Sequence, residues 1–242
     1  NSYLWRQKEA DTCAMALLLC IETATEVCSV GLSLDGALLS RHNSTNPYAH
    51  AASITLLIKA CLKSAGKGVA ALDGVAVSSG PGSYTALRVG TAAAKGICFA
   101  RSIPLLSVST LQSLALASQR EEDGPETRYC PMIDARRMEV YTALFDARGR
   151  ELQPTQALVL EEKPLRAFLE AGDRLVLSGN GAHKAQGLLP AARAAFRPVI
   201  CDAAHLAPLA EEAFGRQAFE DVAYYAPRYL KPPNITKPKK RL

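Results

Sequence analysis

No apolar run in the sequence approaches the length of a membrane-spanning helix. The stretch MALLLCIE, residues 15–22, has some of the look of a secretory signal core, but it is short and runs straight into patterned sequence. LLLC, residues 17–20, also lacks the small residue expected before a lipidated cysteine, so the segment reads as a buried strand. None of the seven cysteines is spaced C-x-x-C, and Cys20 and Cys28 sit inside apolar strands. That usage implies reduced, structural thiols in a cytosolic protein with no membrane contact. Acidic residues are missing from the end of the chain. From Arg228 onward there are six basic residues (Arg228, Lys231, Lys237, Lys239, Lys240, Arg241) and no acidic ones. Removing those six from the 28 basic residues leaves 22 against 23 acidic, so the charge of +5 belongs to a Pro-rich tail. That tail, 226–242, reads either as a solvated extension or as an arm seeking a polyanion such as RNA. Residues 1–14 show no periodicity and precede the first Met, so 1–15 reads as a leader or cloning remnant.

The whole chain is 48% apolar and 242 residues long, enough for one large core or two modest ones. Three strands are expected at 17–22, 27–34 and 37–41, with Asp35-Gly36 as a two-residue hairpin signal between the last two. Asn46-Pro47 marks a helix start, and Ile54, Leu57, Ile58, Cys61, Leu62 and Ala65 give that helix an apolar face up to Gly66. A strand at 74–77, a glycine turn, a helix over 85–100 and a short strand at 105–107 follow. Ser109 and Gln112 form a capping box for another helix. After the polar stretch 119–128 the theme repeats. Strands are expected at 129–134, 139–145 and near 156–160, a helix at 164–171, a strand at 174–177, then the loop SGNGA and a further helix. Asp202 caps a last helix, in which Pro208 predicts a kink or late start. The repetition implies an α/β fold with two domains, 16–112 and 128–225, facing a cleft.

The segment SSGPGSYTALRVGTAAAKGICFA, 78–100, has the strand, glycine turn and helix of many phosphate sites. The spacing excludes the common ones. Thr85 and Leu87 stand where a G-x-x-x-x-G-K-[ST] loop from Gly80 or Gly82 needs its conserved groups, and Thr85 stands where G-x-G-x-x-G needs its third glycine. Within the helix, Ala86, Gly90 and Ala94 are four apart, as are Ala92 and Gly96, leaving one broad side nearly bare. Such a side serves either tight packing on the chain's own sheet or close approach of another protein's helix. Arg88 beside it either pairs with a partner's carboxylate or is solvated.

IETATEVCSVGL, SSGPGSYTALRVGTAAAKG and DARRMEVYTALF, in this order, resemble the TsaB (YeaZ) family, one arm of the machinery that makes threonylcarbamoyladenosine in tRNA. The resemblance runs from Leu17 to about Tyr229. It implies the fold of the actin-like ATPase and sugar kinase superfamily, two ribonuclease-H-like domains, and a subunit without chemistry of its own. The family's partners are the catalytic paralogue TsaD, the ATPase TsaE, a second copy of the chain when alone, and tRNA, reached indirectly or through the basic tail. The implied docking surface is helices 47–65 and 85–100, carried by Ile54, Leu57, Ile58, Cys61, Ala86, Leu87, Arg88, Gly90, Ala93, Ala94 and Ile97.

Superfamily members that handle ATP use two D-x-G hairpins to hold metal and phosphates. Here they correspond to Glu22-Thr23-Ala24-Thr25 and Asp134-Ala135-Arg136, with Ala24 and Arg136 where glycine lets phosphate approach. A degenerate cleft is therefore expected around Glu22, Thr23, Thr25, Asp134, Arg136, Gly179 and Gly181, where Asp134 and the arginines either pair on the surface or hold an anion. The paralogue's H-x-x-x-H metal pair is reduced to His50, followed by Ile54, so His50 reads as a surface or capping residue. His42, His183 and His205 make no ligand spacing, and no Cys–His pair or G-x-S-x-G elbow is present. No catalytic residue, metal or cofactor is expected in the isolated chain, with ATP and metal residing on the partners. The competing readings are a divergent ATP-dependent kinase or ATPase, which needs both hairpins to work, and a metallopeptidase, which needs a second ligand near His50.

Overall fold

A computed structural model describes residues 16–44, 46, 49–121, 123–161, 167–170 and 174–231. The chain forms two five-stranded sheets. The first contains β1 (Leu17–Glu22), β2 (Cys28–Leu34), β3 (Ala37–Ser44), β4 (Gly74–Ser78) and β5 (Leu105–Val108) in the order β3-β2-β1-β4-β5. The second contains β6 (Thr127–Asp134), β7 (Glu139–Phe145), β8 (Glu151–Val159), β9 (Arg174–Ser178) and β10 (Ala194–Phe196), in the order β8-β7-β6-β9-β10. In each, the opening three strands are an antiparallel meander and the other two run parallel to the first. The two sheets thus share the ribonuclease-H-like arrangement, and the α/β class expected from the repeat is what the chain adopts.

Strand alternation explains how the first sheet is covered. Leu17, Leu19 and Ile21 of β1 face one side, where α1 (His50–Ser64) and α2 (Tyr84–Arg101) pack. Leu18 and Cys20 face the other, against the last helix, α4 (Ala203–Gly215). All six β1 residues are buried, which is why this strand reads as a continuous apolar run. On the second sheet, Tyr129, Ile133 and Phe145 meet α3 (Thr110–Ala117), while Met132, Val140 and Leu144 face Phe168 and Leu169.

Several local signals act as expected. Asp35 and Gly36 both adopt positive φ (52° and 72°), the geometry of the tight hairpin turn. Ser109 accepts from Gln112 N, but the Gln112 side chain donates to Gly149 O, so only half of the capping box forms. Asp202 caps α4 by accepting from Ala204 N, and α4 runs through Pro208 on its exposed side.

Other expectations need correction. α1 starts at His50 with Ala49 before it and no side-chain cap; Asn46 precedes it, and Pro47 lies outside the described residues. The helix expected at 164–171 falls largely outside the described residues, with 167–170 helical. The helix expected after SGNGA is a single 3-10 turn, Ala182–Ala185, followed by β10. Ala-rich sequence at 191–196 favours helix locally, but pairing with β9 overrides it. Packing also crosses the boundaries drawn in chain order. α3, which straddles the boundary at 112, packs on the second sheet, and α4, within 128–225, covers the first.

Candidate functional site

The glycine turn and α2 form the contact between the first hairpin and its helix. Ser83 N donates to Ala24 O at 2.7 Å, and a Cβ at Gly82 would lie 2.3 Å from that same oxygen. About two turns further on, a Cβ at Gly90 would lie 2.3 Å from Thr23 Oγ1. Ala86, Leu87, Gly90 and Ala94 are all buried. The small-residue side of α2 therefore faces the protein's own hairpin, which decides between the two uses its spacing allows. Ile54 and Cys61 of α1 are core residues as well. These six positions are not docking surface, because the helix faces that carry them hold the sheet.

The adjoining side of α2 is different. Ala92 and Gly96 are exposed, and nothing lies within 4 Å of a Cβ at Gly96. Together with Ala93 and Ile97 they face Ile58 and Leu62 of α1 across an apolar groove of about 770 Å³. Lys59, Lys63 and Lys67 line the same groove, at i, i+4 and i+8. Leu56 (68% exposed) and Phe99 (74%) stand in water on these two helices, an unusual position for side chains of that size. Of the expected docking residues, Ile58, Ala93 and Ile97 line this groove, and Leu57 is half-buried. Leu62, Ala92 and Gly96 line it too and were not among the residues expected from sequence. The Ala92–Gly96 spacing is visible in sequence, but nothing there tells which small-residue side faces out.

Arg88 is exposed and rests on the chain's own aromatic rings. Its guanidinium lies 4.2 Å from the Tyr84 ring centroid, and Nε donates to Tyr229 Oη at 3.3 Å. Lys95 Nζ donates to Ala223 O and Tyr225 O, both at 3.1 Å, and Arg228 N to Ser79 O at 2.8 Å. The start of the presumed tail is thus a strap bound to α2 and the glycine turn. Residues 232–242, with four of the six basic side chains, lie outside the described residues.

The two hairpins meet at Asn180, in the cleft expected between the units. Its side chain accepts from Asp134 N (3.0 Å) and donates to Glu26 Oε2 (2.9 Å). In the first hairpin, Thr23 N donates to Ser78 Oγ (3.3 Å) and Ala24 N to Glu22 Oε1 (2.6 Å). In the second, Arg136 N donates to Asp134 Oδ1 (2.5 Å) and Ala135 N to Glu139 O (3.1 Å). The amides of Thr23, Ala24, Asp134, Ala135 and Arg136 are thus engaged with the protein itself. Gly179 and Gly181 are closely packed, since Cβ atoms there would meet Met132 O at 2.4 Å and Asp134 N at 2.9 Å. Their role is to let this loop lie on β6. Thr25 is buried beside Cys201.

His50 is buried with Nε2 unpartnered, contrary to the surface position expected. Among the described residues no cluster of three His, Cys, Asp or Glu side chains could hold a metal, and no helix is long and apolar enough to cross a membrane. The six described cysteines are buried and free.

Glu22 is fully buried with Oε2 unpartnered, and burial pushes its carboxyl up to about 7. Between the ordinary value near 4.5 and about 7, the native state holds a proton that the unfolded chain has lost. Stability should therefore fall as pH rises through that window, by roughly 3 kcal/mol, and level off above it. Denaturation of Glu22→Gln should show a flatter profile between pH 5 and 8. An unaltered slope would assign the pH dependence to other groups.

The family described as "TsaD: tRNA N6-adenosine threonylcarbamoyltransferase" matches residues 45–161, which hold α1 through β8. The "tRNA threonylcarbamoyladenosine biosynthesis protein TsaB" of Escherichia coli strain K12 is 35% identical over 128 residues, 53% of this chain and 54% of that one. The protein of the same name from Haemophilus influenzae is 34% identical over 124 residues, 51% of each chain. The chain spans about half the length of these two curated relatives. A solved structure described as "YeaZ from Pseudomonas aeruginosa" is 30% identical, with a TM-score of 0.75 over 89% of this chain and all of that one.

Proposed function

The chain belongs to the TsaB (YeaZ) family, and from that premise we propose that it is a non-catalytic subunit of the machinery that makes threonylcarbamoyladenosine in tRNA. It pairs with the catalytic paralogue TsaD through the groove between α1 and α2, and TsaE joins the pair. In the paralogue's absence a second copy of the chain takes the same place. The observation that carries this reading is the groove itself: apolar, open and lined by Lys59, Lys63 and Lys67, with Leu56 and Phe99 exposed on the same two helices. Apolar centre and charged rim is the layout of a protein interface. The lysine rim fits a partner helix with acidic residues along its edges, so docking weakens as salt rises.

The hairpins support the absence of catalysis. A phosphate would have to displace Glu22 from Ala24 N and Asp134 from Arg136 N, and would meet the Ala24 methyl and the Arg136 side chain. ATP and metal then belong to the partner subunits. Co-expression with the tagged paralogue and capture of the pair tests the docking reading, and no capture would overturn it. Isothermal titration of the isolated chain with Mg-ATP should give no saturable heat. A saturable signal lost on changing Thr23 or Asp134 would restore the kinase reading.

A further inference from the structure

The docking groove does not end at α2. Across the exposed Ala92, which lines both, it continues into a second hollow of about 370 Å³ between α2 and the strap. Arg88 and Lys95 enter that hollow from α2. Arg88 uses one N–H, its Nε, on Tyr229 Oη, and Lys95 gives two to strap carbonyls. Each keeps further donors, and neither has an acid partner among the described residues. The Tyr84 ring, its centroid 4.2 Å from the guanidinium carbon, holds the fork in place. Thr91 lines the hollow as well, buried, with its Oγ1 unpartnered. A fixed guanidinium, an ammonium with an N–H to spare and an unsatisfied hydroxyl together suit a carboxylate.

Groove and hollow present Lys59, Lys63, Lys67, Arg88 and Lys95, and no acidic residue lines either. The helices themselves are just as one-sided. α1 and α2 hold four of these cations, and Arg101 besides, without one aspartate or glutamate. A two-fold interface opposes a surface to itself. A second copy docking by these helices would therefore set like charge against like.

We propose that this face selects its partner by charge. It takes a helix bearing acidic residues, one of whose carboxylates seats on Arg88 and Lys95 beside the strap, and it disfavours a second copy of the chain. The proposal rests on the reading that α1 and α2 form the docking surface. The apolar floor serves both complexes alike, so the cations and not the floor set the preference. Salt responses of opposite sign follow, because screening removes attraction from the mixed complex and repulsion from the homodimer.

The test is sedimentation of the full chain, alone and titrated with the purified paralogue, at about 50 mM and about 500 mM salt. Over that range affinity for the paralogue should fall about tenfold or more, while self-association tightens about threefold. Arg88→Gln should weaken the mixed complex about tenfold at low salt, have little effect at high salt, and tighten the homodimer. Arg88→Lys should keep both salt responses. Lys59→Gln with Lys63→Gln should tighten the homodimer at low salt and flatten its response. A response that stays as steep in that variant is general salting-out and overturns the proposal. So do salt responses of the same sign in the two complexes. Arg88→Gln weakening the mixed complex equally at both salts would mean that Arg88 acts by holding the strap, and overturns it too. Normal pairing with the paralogue alongside any of these outcomes removes only the selection by charge. No pairing by the wild type at either salt removes the docking reading beneath it.

Discussion

Replacing Gly90 with leucine should prevent the chain from folding, and replacing Gly96 with leucine should not. The two glycines lie six residues apart on α2, and both sit in small-residue stripes. A Cβ at Gly90 would be 2.3 Å from Thr23 Oγ1 and 3.2 Å from Thr23 Cγ2. Thr23 itself is fully buried, and its amide is held by Ser78. It cannot retreat without breaking the hairpin, and the helix cannot retreat without opening the core around Leu87, Ala94 and Cys98. Overpacking by a single methyl group ordinarily costs about 1–3 kcal/mol where neighbours can shift. Here they cannot, and a leucine adds three carbons more. The expected loss is at least about 4 kcal/mol, most of a typical domain's stability. At Gly96 a Cβ meets nothing within 4 Å, and exchanging a helical glycine for leucine should gain up to about 1 kcal/mol. Thermal denaturation of the two variants side by side measures this. Equal melting temperatures would mean that α2 does not rest on the hairpin as described.

The same pair of glycines shows what the sequence could and could not reveal. Periods of two and of three to four residues placed the first meander, β6, β7, α1, α2 and the parallel strands β4, β5 and β9, because burial on one face or two leaves a direct imprint on residue type. The Asp35-Gly36 turn and the Asp202 cap were legible for a similar reason, as local backbone geometry demands those residues. The facing of α2 was not legible. Ala86, Gly90 and Ala94 are small because a hairpin lies against them, and Ala92 and Gly96 are small on a side left open. Composition cannot tell a surface already in contact from one awaiting contact. β10 was missed because its alanines owe their strand conformation to β9, a partner sixteen or more residues earlier. The strap at 223–229 was split between the second domain and a tail from 226 onward because Pro and basic residues suggest solvent, whereas Lys95 and Arg88 on α2 bind its carbonyls and its Tyr229. The departures of the two hairpins from D-x-G at Ala24 and Arg136 were legible, but not the Asn180 side chain that spans them.

Gly96→Leu, expected to fold, should fail to pair with the paralogue. The open groove between α1 and α2 admits a helix closely only because Ala92 and Gly96 present almost no side chain at its floor. Four carbons placed there would lie against Ile58, Leu62 and Ile97 and fill space that a partner's side chains would occupy. The partner must then withdraw or repack, at about 1–3 kcal/mol for each overpacked contact, so affinity should fall by about tenfold to a hundredfold or more. Because a second copy of the chain is proposed to use the same groove, the homodimer should weaken in parallel. Light scattering of the isolated variant and capture by the tagged paralogue measure the two effects on one preparation. Lys59→Glu with Lys63→Glu provides an independent probe of the rim. It leaves the floor intact, and should slow association and reduce its salt dependence while the melting temperature stays within about 2 °C. Normal capture of Gly96→Leu with an intact fold would move the docking surface away from this groove. Loss of the homodimer with normal capture of the paralogue would mean that the two partners use different surfaces, with the groove left to self-association alone.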